Sequence, residues 1–129
     1  MKTINVTSRS HDEMIDITSD VYRIVSESMI SEGFCIIYTP HTTAAITINE
    51  NADPDVQSDI IKGLNGLDLE KIRFLHSEGN SPSHIKSSLV GCSEMVIIEN
   101  GRLVLGTWQG IYFCEFDGPR LRKVHVQVK

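Results

Sequence analysis

The chain is poor in the residues that build several kinds of functional site. Cysteine occurs three times in 129 residues, at Cys35, Cys92 and Cys114. The number is odd and no CxxC pair occurs. This argues against a disulfide framework and a cysteine-rich zinc site, and fits a reducing cytoplasm. Basic residues are outnumbered, 12 Lys and Arg against 17 Asp and Glu, for a net charge of −5. An acidic domain lacks the footprint that phosphate backbones need, so no nucleic-acid partner is expected. No apolar run approaches the roughly 20 residues that cross a bilayer, so no membrane association is expected. Met1–Val6 carries no apolar stretch with a small-residue cleavage site, and no signal peptide is expected. The glycines do not fall as GxGxxG or GxxxxGK[ST], which leaves no standard phosphate cradle. No internal repeat or low-complexity tract stands out.

What remains is an ordinary globular composition, 40% apolar and 22% charged. A chain of this length makes one domain, residues 1–129, able to bury roughly two-thirds of its unfolded surface.

Hydrophobic spacing predicts the elements. Ile4 and Val6 alternate with polar neighbours, giving a strand over Met1–Ser8, and Met14–Thr18 could extend a second. Val21, Ile24, Val25 and Ser28 share one helical face, with Thr18 or Ser19 as cap and Gly33 as stop. Phe34–Thr39 and Ala45–Asn49 read as strands. Asp53-Pro54 opens a second helix, with Val56, Ile60, Ile61 and Leu64 as its stripe and Asn65-Gly66 as its end. Leu67–Ser88 is the least regular stretch, with a short helix predicted over His84–Leu89. Glu94–Ile98, Leu103–Leu105, Ile111–Phe116 and Leu121–Val128 are strand candidates, with a hairpin turn at Asn100-Gly101. The sum is an α+β domain: mostly antiparallel or mixed sheet, two main helices and one short one.

Three polar clusters could carry chemistry. His41-Thr42-Thr43 and Glu50-Asn51-Ala52-Asp53 bracket one apolar strand. Glu50 shares a strand face with Ile46 and Ile48, so it must leave the sheet, find a partner or support a turn. His76-Ser77-Glu78-Gly79-Asn80 precedes His84. If this stretch is extended, His76, Glu78 and Asn80 point the same way. Three histidines plus water is the open arrangement of catalytic zinc, but the spacing is not diagnostic, and each could equally be a surface or core residue. Gly106-Thr107-Trp108-Gln109-Gly110 is either a tight bend with a packed tryptophan or a site wall. Asp55 and Asp59 read as a solvated helix face. Arg120, Arg122, Lys123 and Lys129 read as an exposed strand face, with anchoring of an anionic group as the functional alternative. His11 and His125 read as structural, and Cys35 and Cys114 as small buried hydrophobes.

The segments PHTTAAITINENADPDVQSDI (40–60), HSEGNSPSHIKSSLVG (76–91) and ENGRLVLGTWQGIYFCEFDGPR (99–120) together resemble the YjbQ-like family, long catalogued as uncharacterised. The resemblance implies a compact α+β fold, usually assembled as a homotrimer, and a pocket that often holds a metal ion. It points to His41, His76 and His84 as metal ligands, with zinc the expected divalent metal. Glu50 and Glu78 are its acid–base candidates. Asn51, Asp53, Asn80, Lys86, Thr107, Trp108 and Gln109 are its ligand contacts. It also implies a secondary thiamine phosphate synthase activity, joining hydroxymethylpyrimidine diphosphate to thiazole phosphate, with Lys86 and Arg102 as the best available cations. The alternative expectation is a non-catalytic trimer that binds a metal or a small ligand.

Overall fold

The computed structural model describes residues 1–129. The chain runs β1 (Lys2–Thr7), β2 (Glu13–Asp16), α1 (Thr18–Ser28), β3 (Gly33–Tyr38), β4 (Ala44–Glu50), α2 (Pro54–Asn65), a 3-10 turn (Leu69–Lys71), α3 (Ser81–Val90), β5 (Ser93–Glu99), β6 (Arg102–Leu103), β7 (Gln109–Glu115) and β8 (Leu121–Val128). The strands form two sheets, one ordered β1-β8-β3-β5-β6 and one ordered β2-β7-β4. Every pairing is antiparallel. The α+β expectation holds.

β7 is the axis of the fold, buried on both faces. Ile111 and Phe113 join the main core with Ile4 and Val6 of β1, Val124 and Val126 of β8, and Val21, Ile24 and Val25 of α1. The alternate residues Tyr112 and Cys114, with Phe116 just beyond, form a second core with Ala45, against which Leu64 of α2 and Val90 of α3 pack. A strand covered on both sides carries a near-continuous apolar run, as Ile111–Phe116 does.

Several local details differ from the expectations. α1 has no side-chain cap at Ile17. Instead, Asp16 takes the Thr18 N–H at 2.9 Å and the Thr18 hydroxyl at 2.6 Å. The helix ends on left-handed Met29, four residues before Gly33, and Gly33 opens β3. α2 follows its sequence signals: Asp53 accepts from the Asp55 N–H at 2.9 Å, Pro54 sits at the first turn, and Gly66 follows the last. α3 is ten residues long and starts at Ser81, three residues before the expected start.

Candidate functional site

The loop from Pro40 to Thr43 joins β3 to β4, and α3 packs beside it on β4. Between the loop, α3 and the start of β8 lies a polar cleft of about 390 Å³. Its wall carries His41, Thr42, Thr43, His76, Glu78, Asn80, His84, Arg120 and Arg122. A neighbouring cleft of about 580 Å³ shares His41 and His84 and adds Ser87, Ser88 and Cys92. A third, of about 290 Å³, lies against His76 and His84 with Phe74 and Ile85. His84 is therefore on the wall of all three.

Each histidine is held differently. His41 Nε2 accepts the Lys123 N–H at 2.9 Å, so its proton sits on Nδ1. Burial, followed by the charge of Arg122, holds the His41 imidazole below its ordinary titration range. His76 and His84 stand edge to face with ring centroids 5.4 Å apart. The stretch from His76 to Asn80 is a turn rather than an extended segment: the Gly79 N–H reaches the His76 carbonyl at 3.3 Å, with Gly79 at φ +75°. That turn leaves the Glu78 carboxylate 4.0 Å from His76 Nε2.

Beneath the cleft lies a buried ionic layer. Arg122 donates to Glu115 at 2.5 and 2.9 Å and to the Thr43 hydroxyl at 2.8 Å. The Ser8 hydroxyl donates to Glu115 at 2.6 Å. Burial pushes the Glu115 carboxyl up, but the hydrogen bonds from Arg122 and Ser8 outweigh it and hold the group below its ordinary range. Asp117 accepts from Arg120 at 2.8 Å and from Asn80 Nδ2 at 2.9 Å. Asn80 Oδ1 is buried with no hydrogen-bond partner.

The other expected site residues lie elsewhere. Glu50 pairs with Gln109 at the far end of the β4–β7 ladder, whereas Ala44, next to the cleft, pairs with Glu115. Asn51 donates to Asp16 at 3.1 Å, and Asp53 is spent on capping α2. Trp108 is 63% exposed at that far end. Thr107 shares its tight bend, which Gln109 Oε1 closes by accepting the Gly106 N–H at 2.8 Å. Lys86 is no free cation, because its ammonium is buried against Asp12 at 2.9 Å and Asn65 at 3.0 Å, over the Phe116 ring. Arg102 lies on β6, away from the cleft.

Arg122 reverses the sequence reading. It shares strand parity with Val124 and Val126, so it points inward and is 4% exposed. The parity was the available signal. Cys92, with no histidine near it in sequence, comes to the same cleft wall as His41 and His84. No sequence spacing could have announced that.

A family model described as UPF0047 protein YjbQ-like matches residues 2–129. The chain belongs to the UPF0047, YjbQ-like family. It is 53% identical to the UPF0047 protein YugU of Bacillus subtilis, over 99% of this chain and 98% of that one. A crystal structure of an uncharacterised YjbQ/UPF0047 protein from Clostridium acetobutylicum superposes with a TM-score of 0.97 at 52% identity, covering 100% of both chains. A similar protein of unknown function from Sulfolobus solfataricus gives a TM-score of 0.94 at 32% identity, over 98% of this chain and 94% of that one.

These findings correct the functional expectation. No group of three or more His, Cys, Asp and Glu side chains is placed to hold a metal ion. His41, His76 and His84 share a cleft, but His41 Nε2 is already engaged by a backbone N–H. The residues of one chain thus do not fit the implied zinc. These UPF0047 relatives are named as uncharacterised or of unknown function, or by the family alone, and none as a thiamine phosphate synthase. The reading as a metal-binding thiamine phosphate synthase is set aside, and so is metal binding by the non-catalytic trimer offered as an alternative to it, binding of a metal or a small ligand.

Proposed function

We propose that the polar cleft receives a small polar molecule and that His76 and His84 exchange protons with it. The observation that carries this reading is the convergence of three histidines on one cleft, with His84 common to three adjoining cavities. Imidazole is the side chain whose ordinary protonation change falls nearest neutrality, so two in edge contact suit acid and base roles. His41, held neutral, offers Nδ1–H as a fixed donor. Glu78 beside His76 orients that ring, and Asn80 lines the cleft. Glu50, Asn51, Asp53, Thr107, Trp108 and Gln109 serve the far end of the β4–β7 ladder.

The test is an imidazole NMR titration against a library of small polar metabolites. A cleft ligand shifts His41, His76 and His84 and leaves the Trp108 indole unmoved. Its turnover should fall by roughly 10²–10⁴ in His84→Gln, the usual worth of a general acid or base. A full library that moves none of the three rings ends the proposal.

We also propose that copies self-associate as the homotrimer implied by the family resemblance. Met95 and Ile97 of β5 are 61% and 63% exposed, and they pair with Ile36 and Phe34 of β3 in an apolar strip. Light scattering at three chain masses supports this, and a monomer rejects it. The absence of any helix long and apolar enough to cross a membrane is compatible with the cytoplasmic location we propose. The three free cysteines support it.

A further inference from the structure

Three features restrict what can occupy the polar cleft. All of its lining residues except Pro40 are polar or charged. Its two guanidiniums are each already paired, Arg120 with Asp117 and Arg122 with Glu115. Such half-neutralised cations suit a single negative charge. A phosphate dianion calls for free cations or a cradle of backbone amides. The third feature is Asn80. Its Nδ2 is committed to Asp117, which fixes the amide orientation and leaves Oδ1 the only buried side-chain polar atom in the chain without a partner. A buried acceptor of this kind costs free energy until a donor reaches it.

Resting on the cleft assignment above, we infer that the ligand is a small carboxylate carrying several hydroxyl groups, of the aldonic-acid type. Its carboxylate lies on the Arg120 guanidinium, which is half exposed. Its hydroxyls donate to Glu78 and to Asn80 Oδ1, both residues of the cleft wall.

The experiment compares gluconate with glucose, propionate and glucose 6-phosphate by calorimetry, with the imidazole spectra followed in parallel. Gluconate should bind at least about tenfold tighter than each comparator, the worth of one charge-assisted hydrogen bond. Arg120→Gln should erase the advantage over glucose. Asn80→Ala should erase the advantage over propionate, and Thr42→Val, at an exposed position, gives a second reading of hydroxyl recognition in a variant that keeps its fold. Equal or tighter binding of propionate or glucose 6-phosphate overturns the ligand class but leaves the cleft assignment standing if the three imidazoles move. Gluconate that binds without moving them overturns the cleft assignment. No binding by any of the four at millimolar concentration overturns the ligand class, and the library titration then decides the cleft.

Discussion

His41 and Glu50 stand at opposite ends of one strand. His41 lies three residues before β4 begins, and Glu50 is its last residue. The six intervening strand steps from Ala44 separate the two ends by roughly 20 Å. Two polar clusters that look like neighbours in sequence are thus held apart by the rigid ladder between them.

That separation predicts that Glu50→Gln leaves the imidazole chemical shifts of His41, His76 and His84 unchanged. Imidazole NMR across the acid-to-neutral range reads this directly. A shift at any of the three would show that the two ends meet between copies of the chain.

The His41 midpoint should lie below 6.5, because burial and then Arg122 disfavour its charged form. Arg122→Met should move it back up by removing the charge that most opposes its protonation. A group with a lowered folded pKa stabilises the fold above its unfolded value and loses that contribution as pH falls through the folded one. His41 therefore adds to acid sensitivity. A midpoint at or above the ordinary value would contradict the burial of this imidazole beside Arg122.

Breaking the Glu115–Arg122 pair from one side should cost roughly 3–5 kcal/mol in urea unfolding, since it strands a buried charge. The side chains are 0% and 4% exposed. Replacing both with apolar residues should recover most of that loss. The Glu115 carboxyl is held below its ordinary value of 4.5 by the hydrogen bonds from Arg122 and Ser8, which outweigh its burial. Its contribution is therefore complete above that value and disappears as pH falls through the folded pKa, in the same direction as Asp12, where hydrogen bonds led by Lys86 outweigh the burial that raises it.

Two glycines should respond in opposite senses to alanine. A Cβ on Gly110 would overlap Asn51 Nδ2 and fall 2.8 Å from Asn51 Cβ. Gly110→Ala should destabilise by about 1–3 kcal/mol through overpacking and also disturb the Asn51–Asp16 bond. A Cβ on Gly63, inside α2, meets nothing within 4 Å. Gly63→Ala should stabilise by roughly 0.5–1 kcal/mol through helix propensity alone. Paired denaturant curves distinguish the two, and a gain at Gly110 would refute the close approach.

α3 shows why part of the fold was not legible. Its buried residues are Pro82, Ser83, Lys86 and Ser87. The Ser83 hydroxyl donates to the Phe116 carbonyl and the Ser87 hydroxyl to the Ala44 carbonyl, each at 2.6 Å. A helix seated by hydrogen bonds carries no apolar stripe, so its first turn was invisible to hydrophobic spacing. α2 was legible because its cap, proline and terminal glycine act locally.

The sequence by itself determined the α+β class, the strand and helix succession, the family and the buried, unreactive state of two cysteines. Those thiols are pushed up by burial, to about 11 at Cys35 and about 12 at Cys114. All of these follow from near-neighbour chemistry or from motifs contiguous in the chain. Only the tertiary structure decided that His41, His76, His84 and Arg120 share a wall, that Cys92 joins His41 and His84 in the neighbouring cleft, that Lys86 is consumed by Asp12, and that Glu50 and Trp108 stand apart. Those relations depend on strand register and on a buried ion pair, which join residues with no local pattern between them.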